Sequence, residues 1–173
     1  MLGTIFVTHR ELAQEQPPVR ELARRIAMQW WLESVGVQTA EDLWLAEGLA
    51  YLSAAQYIGK DQGAAAYKEE IDALSVLALR FEKKSSVRSG AGLGYRTEQY
   101  ESVVAGKGAW VLNMLRGILG EQEFDRLVER YLRAFTGVGG STADFQKLAE
   151  QQSGRELGWF FAEWIDTIGV PEL

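Results

Sequence analysis

Residues 24–50 read R-R-I-A-M-Q-W-W-L-E-S-V-G-V-Q-T-A-E-D-L-W-L-A-E-G-L-A, from Arg24 to Ala50. Two helices and the turn between them are legible here. Apolar residues recur at Val19, Leu22, Ala23, Ile26, Ala27 and Trp30, three or four apart, which makes one face of a helix. Arg24, Met28 and Trp31 make a second face of the same helix. Large residues on both sides predict a mostly buried element. Pro17-Pro18 marks its start, because proline is tolerated in a first turn and not deeper. Thr39-x-x-Asp42 is a capping box. A second helix therefore begins near Ala40 and carries Leu43, Trp44, Glu47, Leu49, Ala50 and Tyr51.

Outward from this stretch the pattern stays helical. Thr4–Val7 is a short β-branched and aromatic run and predicts one strand. A third helix fits roughly 62–84, rich in Ala, Leu and Glu. S-S-V-R-S-G-A-G-L-G then reads as a loop by composition. Its G-A-G-L-G follows a helix and precedes no clear Lys-Ser/Thr, which weighs against a phosphate cradle. A fourth helix fits roughly 103–119, closed by Gly120, and a fifth roughly 121–135. Ser141-x-x-Asp144 caps a sixth, ended near Gly154. Ser153-x-x-Glu156 caps a seventh, ended near Gly169 with Pro171 beyond. The rhythm has no fixed period, so no solenoid is expected. The expected architecture is one mainly α domain over residues 1–173, with one short strand.

Composition bounds the function classes. A chain of 173 residues buries roughly 70% of its unfolded surface, enough for a true core. Six Trp suggest large apolar helix interfaces. Net charge is −6 with no basic stripe, so nothing points to nucleic acid. There is no Cys, which excludes disulfides and thiolate metal sites. His9 is the one histidine, whereas a His-based zinc site takes two or three. No apolar run approaches the ~20 residues that span a bilayer. Met1–Val7 lacks the basic flank and long apolar centre of a signal peptide. With its abrupt G-V-P-E-L ending, the chain reads as a soluble domain excised from a longer, bacterial polypeptide.

The motifs resemble those of the aminopeptidase N family, gluzincin zinc metallopeptidases that include the membrane alanyl aminopeptidases. In that family H-E-x-x-H is followed by Q-W-W-like residues and, after eighteen residues, by a glutamate ligand in an E-G-x-A box. From Met28, eighteen residues lead to Glu47 in E-G-L-A. Gln29-Trp30-Trp31 and Asp42–Leu45 fall in the same register. The family's Y-x-K-G-A-x-V-L-x-M-L segment appears as Ala105 to Leu115, and its S-G-x-x-L-x-x-F-F-x-x-W ending matches from Ser153. The resemblance covers nearly the whole chain. It implies the helical half of a thermolysin-like catalytic domain, about seven helices with a remnant strand.

The departures fall on the chemistry that the resemblance implies. Two histidines one helical turn apart would bind zinc, and the intervening glutamate would polarise its water. Arg24 and Met28 stand at the histidine positions, Arg25 at the general base, and Ala105 at the tyrosine that would steady the oxyanion. Glu47, the third ligand position, remains. Arginine is permanently cationic and methionine is a soft thioether, both poor for Zn²⁺. The upstream substrate-anchoring G-x-M-E-N loop has no counterpart in this sequence. No metal, cofactor or catalytic residue is therefore expected. The expected function is a pseudopeptidase domain acting as scaffold or as protein or peptide interaction module, with the rest of its polypeptide or a second copy as partner. The alternative is a working zinc peptidase whose ligands come from another segment or subunit. A helical protein unrelated to peptidases would place residues 24–28 far from Glu47.

Individual residues carry paired readings. Glu47 is expected in an ion pair with Arg24 or Arg25, the arginine head group filling the place of the missing cation, since a lone buried carboxylate is costly. Met28 is read as core filler. Trp30, Trp31 and Trp44 are read as packing, with Trp31 a candidate groove residue. Phe160, Phe161 and Trp164 form the face of a closing helix. Lys107 either contacts a ligand carboxylate in that groove or makes a packing turn. His9 is read as a surface residue, and Glu69-Glu70 as a solvated helix face.

Overall fold

The computed structural model describes residues 3–5, 7–9, 13 and 18–171. Helix α1, Val19–Met28, follows Pro18 and continues as a wider π segment, Gln29–Val35. A 3₁₀ turn, Ala40–Asp42, leads into α2, Leu43–Gln62. Helix α3 is Ala64–Leu79. A 3₁₀ segment, Arg88–Leu93, precedes a short turn, Glu98–Tyr100, a second π segment, Glu101–Gly106, and α4, Lys107–Leu119. Helices α5, Glu121–Phe135, and α6, Thr142–Ser153, follow. The short α7, Gly158–Phe161, runs on as a third π segment, Ala162–Asp166.

The mainly helical expectation holds, with corrections. Thr4, Ile5 and Val7 are not in a strand, and Phe6 lies outside the described residues, as does Pro17. A strand needs a neighbour to pair its backbone groups; among the described residues the β pairing is an isolated bridge between Val37 and Gly140. Helix α3 stops before residue 84. The Ser102 hydroxyl donates to Leu77 O at 2.6 Å and accepts from Phe81 N at 3.1 Å, taking over backbone groups at the helix end. Ser153 does not cap α7. It is the last residue of α6, and its hydroxyl donates back to Ala149 O at 2.7 Å. No helix among the described residues is long and apolar enough to cross a membrane.

Helix α2 is the central element, packed against α1, α3 and α4. Its first two turns are buried on every side, from Trp44 to Ala50, as expected of a helix apolar all round. Asp42 fixes where it starts. One carboxylate oxygen accepts from Thr39 N and Oγ1 at 3.2 and 2.8 Å; the other accepts from Thr142 N and Oγ1 at 2.7 and 2.8 Å. The Trp44 indole donates to the same Thr142 hydroxyl at 2.9 Å. This buried carboxylate thus ties the start of α2 to the start of α6. Asp42→Ala is expected to lower unfolding free energy by about 3 kcal/mol, because it strands buried donors of a charged acceptor. Asp42→Asn should lose less. Urea unfolding measures both, and a loss under about 1 kcal/mol for the alanine would remove this role from Asp42.

Helix α1 buries only part of its apolar face. Arg24, Ala27 and, beyond the helix, Gln29 and Trp31 face inward. On the face expected to be buried, Ile26 and Trp30 are 42% and 43% exposed. With Val19, Leu22 and Tyr57 of α2 they line an apolar groove of about 520 Å³. Trp30 therefore lines this groove and is less buried than the packing read for it from sequence implies.

Candidate functional site

The inward face of α1 brings Arg24 to Glu47 of α2. Glu47 is 2% exposed, and an Arg24 Nη1 lies 3.7 Å from its Oε2. Arg24 also grips Glu21 one turn back, through Nε at 2.9 Å and Nη2 at 2.7 Å. Its guanidinium lies over the Tyr51 ring, 5.1 Å from the centroid. Tyr51 sits one turn after Glu47 on α2, and its hydroxyl donates to Glu101 at 2.6 Å. Arg25 shares Glu21 with Arg24, donating to it from Nε at 2.8 Å. Arg24 is thus the arginine that meets Glu47, and residues 24–28 are not remote from it.

Burial pushes the Glu47 carboxyl up from the usual range. Arg24 opposes that rise, Glu101 adds to it, and Arg96 opposes it more weakly. The Tyr100 hydroxyl faces Glu47, close enough to couple with it yet without a hydrogen bond of ordinary length. Burial would also raise Glu21, but hydrogen bonds from Arg24 and Arg25 outweigh it and hold Glu21 low. Burial alone would lower Arg24; its carboxylate partners reverse this and raise it.

These shifts have opposite signs in pH. A raised Glu47 contributes stability below its unfolded-state value and loses it as pH rises through the folded-state value. A lowered Glu21 contributes stability above its unfolded-state value and loses it as pH falls through the folded-state value. Glu47→Gln cannot ionise. Relative to the parent, it should gain stability as pH rises from the carboxylate range to neutrality. Urea midpoints at several pH values test this; a difference that does not vary with pH would contradict a raised Glu47.

The other sequence-derived positions are distributed around this cluster. Ala105 is fully buried in the second π segment, which packs on α2. Met28 is half-buried against the main core. Trp31 is buried, its indole donating to Ser53 Oγ at 3.1 Å. Lys107 is 1% exposed and its ammonium donates to Gly169 O at 2.6 Å, so the geometry favours the packing turn. Burial pulls its pKa down, partly offset by Glu82. His9 is exposed. Glu70 is not solvated; it is buried on α3 and accepts from Arg20 Nη2 at 2.6 Å. Arg20, Glu21, Arg24, Tyr51 and Glu70 line a cleft of about 270 Å³ between α1, α2 and α3. Among the described residues, no three His, Cys, Asp or Glu side chains converge as a metal-binding group.

Sequence reading missed Glu21, Tyr51 and Glu101 as members of this cluster. Glu21 lies three and four residues before Arg24 and Arg25, the spacing at which helical side chains meet, so its role was readable. The first two π segments were not. They follow Met28 directly and enclose Ala105, consistent with the tendency of such wide turns to fall at functional sites.

Known proteins share this fold. Residues 11–164 match the peptidase family M1 domain. The chain is 27% identical over 183 residues to the "Probable aminopeptidase 1" of Sulfurisphaera tokodaii, covering 95% of this chain and 23% of that protein. It is 28% identical over 177 residues to the aminopeptidase N of Haemonchus contortus, covering 91% and 18%. An M1 zinc metallopeptidase from Deinococcus radiodurans, solved with a Tyr-Ser-Ala substrate, superposes with a TM-score of 0.69 at 23% identity, over 93% of this chain and 35% of that one. The chain thus spans about a quarter or less of these curated relatives' length and about a third of the solved relative's. The helical layout agrees with that of the solved relative, and the family match runs through α1, α2 and α4, whose residues build and flank the Glu47 cluster. The chain belongs to peptidase family M1.

Proposed function

We propose that this M1 domain is catalytically silent, and that an internal arginine has taken the place of the metal. The observation that carries the reading is the position of Arg24, 3.7 Å from Glu47 and doubly bonded to Glu21. Zinc would need further donors beside Glu47. The groups at the resembling positions are a guanidinium, which repels a cation, and a thioether, which is too soft. The residues present therefore do not fit a zinc ion, and no hydrolytic step is derived through one. With Arg25 at the base position and Ala105 at the oxyanion position, neither proton transfer nor charge stabilisation has a side chain to perform it.

The function left to such a domain is binding or support. The outward apolar groove of α1 supports an interaction role, whether toward a longer polypeptide, a peptide or a second copy. Metal content of the purified protein, together with hydrolysis of aminoacyl amides at saturating zinc, tests the proposal. Less than about a tenth of an equivalent of zinc and no turnover are expected, given one carboxylate donor and no histidine pair. One equivalent of zinc with turnover would instead support a peptidase completed by ligands from elsewhere.

A further inference from the structure

We draw no further inference here: the strongest candidate, the apolar groove where Leu22 and Ile26 of α1 and Trp30 of the π segment after it meet Tyr57 of α2, is an unpartnered face, and nothing in the structure shows what covers it.

Discussion

Arg24→Met is expected to lower the unfolding free energy by about 3–5 kcal/mol, because it leaves the Glu47 carboxylate buried without its cation. Both side chains are deep in the fold, with 10% and 3% of their surfaces exposed. Solvent therefore does little to replace the lost charge, unlike at an exposed pair. Glu21 also loses its two Arg24 bonds, but it is 35% exposed, keeps Arg25 and reaches water, so its share is smaller. Contact with the Tyr51 face adds about 1 kcal/mol. The diagnostic partner is the double change Arg24→Met with Glu47→Leu. Removing both charges ends the uncompensated burial, and the double variant should recover most of the loss. For a chain of this size each 1 kcal/mol moves Tm by about 2–4 °C, so thermal melts resolve the difference. A single variant within about 1 kcal/mol of the parent, or a double variant no better than the single, would mean that Arg24 does not neutralise Glu47.

How much of this was legible in the sequence depends on the kind of signal. Helices α2, α5 and α6 carry caps or breakers at their starts, Thr39 and Asp42, Gly120, and Ser141 with Asp144, and they begin close to where those residues predict. The end of α3 has no such marker. A hydroxyl from Ser102, more than twenty residues downstream, closes it, and local pattern cannot register a tertiary bond. Helix α1 shows the deeper limit. Periodicity finds the helix but not which face turns inward. The bulkiest residues of its apolar face, Ile26 and Trp30, lie outward, while the small Ala27 of that face and Arg24 enter the core. An arginine is tolerated there because Glu21, Glu47 and Tyr51 surround it. Glu21 and Arg24 meet within one helix and were readable as a pair. The meeting of Arg24 with Glu47 followed only from the family spacing, since no local rule links residues on different helices.

The same spacing marks two glycines whose role lies in packing, Gly48 and Gly108, and Gly48 set beside Gly117 gives the sharpest contrast in sign. Gly48→Ala is expected to destabilise by about 2–4 kcal/mol, net of the helix propensity that alanine gains. Helices α2 and α4 cross where Gly48 faces Gly108. A Cβ on Gly48 would stand 2.8 Å from Gly108 C and 3.0 Å from Ala109 N. A Cβ on Gly108 would stand 3.0 Å from Trp44 O. These neighbours are backbone atoms, so no side-chain rotation relieves the overlap and the helices must separate. Gly117, also on α4, has nothing within 4 Å of the corresponding position. Gly117→Ala should therefore stabilise by roughly 0.5–1 kcal/mol, the ordinary gain for a helical glycine in open space. Urea unfolding of the two variants should move midpoints in opposite directions; a Gly48→Ala midpoint at or above the parent's would refute the close crossing. Because Gly48 adjoins Glu47, prying α2 from α4 also shifts the carboxylate relative to Arg24. Combining Gly48→Ala with Arg24→Met should thus lose less than the sum of the two, the mark of sites that act through one contact.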